Sequence, residues 1–144
     1  MLQGGGRILD IAEAQKFLSE NECAVLATRR RDGGIQMSPI TVGVDAEGHA
    51  VISSRETAYK VRNLKRDPWA ALCVFVDDFV GPWVQVEGTA EILSLPEAME
   101  PLIEYYRGVA GEHPNWDEYR QAMERDQRVL IRLTIERAGP DRKG

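Results

Sequence analysis

Residues 53–68 read SSRETAYKVRNLKRDP, and the way this stretch folds decides how the rest of the chain is read. It opens with hydroxyls, gathers Arg55, Lys60, Arg62, Lys65 and Arg66 against only Glu56 and Asp67, and stops at Pro68. The residue before a proline is pushed out of the α region, so a helix over TAYKVRNLKRD ends there. Upstream, HAVISS is a β-rich run that delivers Ser53 and Ser54 to a strand end, and Thr57 is then the expected N-cap. Free amides at a helix start, the helix dipole and neighbouring hydroxyls together make an anion pocket. At about 100° per residue, Thr57, Lys60, Val61 and Leu64 share one sector, leaving Arg62 and Arg66 nearly opposite. Lys60 is the cation placed to meet an anion, while Arg62, Lys65 and Arg66 read as a solvated face.

The chain around it is acidic. Net charge is −5 over 144 residues, which disfavours a nucleic-acid surface, because phosphate polymers need a basic footprint. A cation cluster inside an acidic molecule points instead to a small anionic ligand. With 43% hydrophobic residues the length suits one compact domain. No apolar run approaches the roughly 20 residues of a membrane span, and MLQGGGRILD lacks the apolar core of a signal peptide, so the reading is a cytoplasmic protein without a membrane span. Cys23 and Cys73 sit inside CAVLA and ALCVFV, where thiols act as small hydrophobes and no disulfide framework is expected. His49 and His113 fall at turns without a ligand-spaced partner, so no metal site is expected. Nucleophile-elbow, Walker and GxGxxG patterns are absent, which removes the common hydrolase and parallel-sheet nucleotide chemistries.

Outward from the basic segment, DIAEAQKFLSEN is a helix with capping-box spacing at Asp10 and Glu13 and an apolar face of Ile11, Ala14, Phe17 and Leu18. CAVLATRR and IQMSPITVGV form a hairpin across RDGG, HAVISS is the third strand, and WAALCVFV follows the basic helix. WVQVEGTAEIL alternates Trp83, Gln85 and Glu87 with Val84 and Val86. PEAMEPLIEYYRGV carries a proline inside that threatens to break it, and NWDEYRQAMERD repeats the capping spacing at Asn115 and Glu118. RVLIRLTIER closes the chain with Val129, Ile131, Leu133 and Ile135 on one side. Six strands in hairpin succession with short flanking helices predict a small antiparallel barrel, mainly β in an α+β setting. The expected organisation is a flexible tail over 1–9, the barrel domain over 10–137 and a C-terminal tail over 138–144.

The order of these segments resembles the pyridoxamine-phosphate-oxidase-like split β-barrel superfamily, and within it the actinobacterial branch of oxidoreductases dependent on the deazaflavin coenzyme F420. The likeness covers roughly residues 10–136 and is carried by KVRNLKRDP after a strand, the VEGTAE strand and the NWDEYRQAM helix. It implies a split barrel of the FMN-binding type, a homodimer with the cofactor at the subunit interface, and a phosphate anchored at the strand-to-helix corner. The cofactor-binding residues it implies are Ser53 and Ser54 for hydroxyls, Thr57 and Ala58 for the helix start, Lys60 for charge, and Arg62 and Asn63 beside them. Gln36, Met37 and Ser38 match the stretch under the tricyclic ring, and Trp83 matches a position near it. Many relatives carry a second basic residue where Ala58 stands, which asks another cation, such as Arg55 or Arg30, to compensate. The chain ends without the Trp and Arg elements of vitamin B6 oxidation, so that activity is not expected.

The resemblance implies hydride transfer from reduced deazaflavin to an electron-poor small-molecule acceptor. The chemistry belongs to the cofactor, so no catalytic side chain is named. Two other readings stay open: an FMN-dependent oxidase or reductase on the same fold, and a non-catalytic module that binds a cofactor or tetrapyrrole. Arg29, Arg30 and Arg31 at the hairpin end are possible partners for acidic groups of the substrate or of the deazaflavin's polyglutamate tail.

Overall fold

The computed structural model describes residues 9–78 and 80–143, the last four of these as backbone. In chain order the elements are α1 (Ile11–Glu20), β1 (Cys23–Arg29), β2 (Ile35–Thr41), β3 (Gly43–Val44), β4 (Ala50–Arg55), α2 (Tyr59–Arg66), β5 (Trp69–Phe75), β6 (Pro82–Leu93), α3 (Met99–Ala110), α4 (Trp116–Arg125) and β7 (Arg128–Lys143). The strands form one sheet in the order β2-β1-β5-β6-β7-β4-β3, and each neighbouring pair runs antiparallel. Its two edge strands, β2 and β3, are separated in the chain by Val42 alone. A flat sheet of seven strands at about 4.8 Å spacing would hold those edges nearly 30 Å apart, far beyond the reach of one residue. The sheet must therefore curl into a half-barrel.

The expected six strands become seven at this corner. IQMSPITVGV reads as one strand, but the Val42 amide turns to the Glu22 carbonyl (2.9 Å) and its side chain is 1% exposed in the core. The ladder breaks there, and Gly43–Val44 pairs with β4 instead. Register fixes the barrel layers: Leu26 of β1 stands opposite Leu72 of β5, which in turn faces Val86 of β6. All three are buried. Near the β6 bulge at Glu87/Gly88, β7 comes so close that any Cβ on Gly88 would run into the Thr134 carbonyl oxygen.

A second apolar cluster lies outside the barrel, where α3 and α4 cover Val51 of β4 and Leu130 of β7 through Leu102, Ile103, Tyr119 and Met123. This explains the unbroken burial of Ala50, Val51 and Ile52: Ile52 faces the barrel interior and Val51 faces the helices. Pro101 does not break α3, because it falls in the first turn, where amides have no helical partner. At the chain's ends the sheet extends past the boundaries read from sequence. Leu9 is buried and bridges to Ala138, and β7 continues to Lys143, so residues 138–143 pair in the sheet and do not form a separate tail. Residues 1–8 of the expected N-terminal tail lie outside the described residues.

Candidate functional site

Strand β4 ends at Arg55, the chain turns through Glu56 and Thr57, and α2 begins. Thr57 was the expected N-cap, but the cap position is Ala58, whose carbonyl accepts from Val61 and Arg62 (both 3.1 Å). Two turn residues are needed to reverse direction, with Ala58 N–H closing on the Arg55 carbonyl at 3.0 Å, so Thr57 stays outside the helix and exposed. Above this corner opens a cleft of about 480 Å³, walled by Ser53, Lys60, Arg128 of β7 and Thr41 of β2 and roofed by Tyr105, Tyr106 and Tyr119.

The charges in this cleft are unbalanced. Lys60 is half-buried, and burial first and the neighbouring Arg128 second hold its ammonium below the ordinary lysine range. Among the described residues neither Lys60 nor Arg128 has an ion-pair partner, and the Arg128 Nε is buried with no hydrogen-bond acceptor. Arg55 stands directly opposite Arg128 across the β4–β7 ladder, a like-charge pairing that disfavours the strand pair. Two cations lining one cleft, one with a stranded donor, are what an oxyanion would satisfy. The donor set fits a phosphate: the Lys60 ammonium, the Arg128 guanidinium and the Ser53 hydroxyl.

Two of the roof tyrosines are tied to backbone carbonyls. Tyr105 donates to the Thr41 carbonyl (2.9 Å), and burial pushes its phenol up against the opposing pull of a Ser53 backbone hydrogen bond and of Arg128. Tyr119 donates to the Leu102 carbonyl (3.0 Å), and burial pushes it up to about 12. Tyr106, His113, Trp116 and Tyr119 pack as a four-ring cluster, all pairs between 5.1 and 5.8 Å, which pins α3 to α4.

Of the residues expected at the site, the structure brings Ser53 and Lys60 into the cleft. Ser54 faces the other way: adjacent strand residues point to opposite sides, and Ser54 lies 4% exposed inside the barrel. Ala58 packs against the core and Arg62 is exposed. Asn63 is 7% exposed and committed inward, donating to Thr28 Oγ1 (3.1 Å) and accepting from Arg66 (3.2 Å). Thr28 in turn donates to Gln36 (3.4 Å), so Asn63 supports Gln36 from behind. Met37 stands 66% exposed on the outer face of β2, while the Ser38 hydroxyl is buried without a partner among the described residues. Trp83 does not line the cleft and is separated from β2 by β1 and β5.

Arg128 is the residue that sequence reading missed. It lines the cleft with Lys60, which Arg55 and Arg30 do not; Arg30 is tied to Asp32 (3.1 Å) at the hairpin. The available signal was alternation: RVLIRL sets Arg128 on the face opposite Val129 and Ile131, the side that β4 shares with Ser53.

The family model described as pyridoxamine 5'-phosphate oxidase matches residues 11–140. Among solved structures, the chain is similar to a conserved hypothetical protein from Mycobacterium tuberculosis, with a TM-score of 0.74 at 22% identity over 96% of this chain and 87% of that one. It is similar to an F420 reductase, with a TM-score of 0.65 at 23% identity over 88% of this chain and 95% of the other. A heme storage protein from Vibrio cholerae matches with a TM-score of 0.67 at 17% identity, over 92% and 95% of the two chains. At these identities the likenesses establish the split-barrel fold.

Proposed function

The chain belongs to the pyridoxamine 5'-phosphate oxidase family, and on that premise we propose that it is a cytoplasmic oxidoreductase that binds coenzyme F420 and reduces an electron-poor small molecule. The observation that carries this reading is the pair Lys60 and Arg128 beside Ser53, without an ion-pair partner among the described residues, a donor set that suits a phosphate. The choice of the deazaflavin over FMN rests on KVRNLKRDP, VEGTAE and NWDEYRQAM, and the similarity to an F420 reductase supports it. When bound, the deazaflavin supplies the hydride. The chain's own residues anchor the phosphate through Lys60 and Arg128, and Tyr105 and Tyr119 hold the roof through hydrogen bonds to backbone carbonyls. Placement of the acceptor against the cofactor is the protein's contribution to rate.

Side-by-side fluorescence titration with the deazaflavin and FMN tests the assignment. The expected result is at least tenfold tighter binding of the deazaflavin, on the order of 1.4 kcal/mol; equal or reversed affinities contradict it. The similarity to a heme storage protein keeps one second reading, a tetrapyrrole-binding module, which predicts binding of heme without turnover of any acceptor.

A homodimer is part of the proposal. Edge strand β2 presents Ile35 (42% exposed) and Met37 (66%) on its outer face, and Tyr59 (75%) opens α2. Apolar side chains along an unpaired edge invite a second copy. Sedimentation should return a dimer with and without cofactor, and a monomer that retains full affinity would contradict this part of the account.

A further inference from the structure

Tyr105 walls the phosphate corner on one side and, on the other, a separate cavity of about 580 Å³ lined by Val44, Val51 and Leu130. With open space on both sides, the ring depends on its hydroxyl for its place. That hydroxyl sits at the seam of the half-barrel. β2 is an edge strand, and the carbonyl of its last residue, Thr41, accepts from the Tyr105 hydroxyl at 2.9 Å. Across the seam, β3 pairs with Ala50 and Val51 of β4 and goes no further. The rest of β4, toward Ser53, has β7 on one side and, among the described residues, no strand on the other. There the Ser53 amide donates to the same phenol oxygen. A phenol has one hydrogen to give and lone pairs to receive, so one side chain closes both unpaired edges at once. A phenylalanine of the same shape can close neither.

The two edges joined in this way are the two walls of the cleft. β4 brings Ser53 to the corner beside Lys60 and Arg128, and β2 supplies the facing wall through Pro39, Ile40 and Thr41. Among the described residues no strand ladder joins these walls directly. We infer that Tyr105 is a positioning residue, which bridges Thr41 and Ser53 and so sets the distance between the phosphate corner and the β2 wall. The bridge stands on the hydrogen bonds themselves; its bearing on the ligand rests on the phosphate-corner reading. Without the bridge, a ligand that touches both walls has to order the seam as it binds, whereas inorganic phosphate, which reaches the corner alone, does not.

Tyr105→Phe keeps the ring and removes the bridge. In the ligand-free protein, hydrogen exchange followed by NMR should quicken at the Ser53 amide on the order of tenfold, beyond any change at the Leu72 amide in the central ladder. Two titrations follow, one with inorganic phosphate and one with whichever of the deazaflavin and FMN the wild type binds more tightly. Tyr105→Phe should leave the affinity for phosphate unchanged and weaken that for the ring-bearing ligand on the order of fivefold, the scale of one hydrogen bond. Leu72→Ala serves as the control for a merely less stable fold, and on its folded fraction neither affinity should fall. Unchanged exchange at Ser53 overturns the bridge. Faster exchange with equal losses for both ligands, or with no loss for either, overturns the positioning role and leaves the phosphate corner standing. A wild type that binds neither phosphate nor either ring overturns the corner reading and the positioning role with it, while the exchange result still decides the bridge.

Discussion

Replacing Lys60 and Arg128 together by alanine should lower cofactor affinity by about 3–5 kcal/mol, between two and four orders of magnitude, because both charge-assisted bonds to the phosphate are lost. Lys60→Ala alone should weaken it by about 1.5–3 kcal/mol. The protein itself should fold at least as well as before, since two like charges that face each other without a counter-ion are removed. Fluorescence titration and urea denaturation on the same preparations separate the two effects. A pH series adds an independent sign. In the free protein the Lys60 pKa is lowered, and a bound phosphate favours its charged form, so affinity is fully present at pH values below the lowered pKa. It is lost as pH rises through the pKa of the complex, and Lys60→Ala should lack that decline. Wild-type affinity in the double variant would remove both residues from the site.

Leu72→Ala should destabilise the fold by about 2–5 kcal/mol, the usual range for opening a cavity at a closed core position. Leu72 is 1% exposed and stands in register between Leu26 and Val86, the layer that fills the barrel. Because Leu72 lies on a central strand between β1 and β6, its neighbours have little freedom to collapse into the gap. The measurement is the urea midpoint at unchanged slope. Phosphate-corner binding, measured on the folded fraction, should survive, since Lys60 and Arg128 reach the cleft from α2 and β7, outside the layer that Leu72 fills. A loss below 1 kcal/mol would mean that the interior is looser than its register suggests.

Much of this architecture was legible residue by residue. Alternation in WVQVEGTAEIL and RVLIRLTIER gave β6 and the start of β7, and Pro68 ended α2 where expected. Periodicity could not show that IQMSPITVGV bends, because the break depends on Val42 finding the Glu22 carbonyl, a tertiary event. It did contain the reason why Ser53 and Ser54 cannot share a pocket, namely the two-residue repeat of a strand. Alternation in RVLIRL sets the face of Arg128, but only the pairing of β4 with β7 brings it beside Ser53 and Lys60. Asn63 looked like a ligand contact by its neighbours in sequence, yet its helical position turns it onto Thr28.

The crystal structure of the protein with bound deazaflavin tests the central claim most directly. The account predicts phosphate oxygens within hydrogen-bonding distance of the Lys60 ammonium, the Arg128 guanidinium and the Ser53 hydroxyl, roughly 2.7–3.0 Å. Density for the cofactor elsewhere, with this corner holding only solvent, would contradict it.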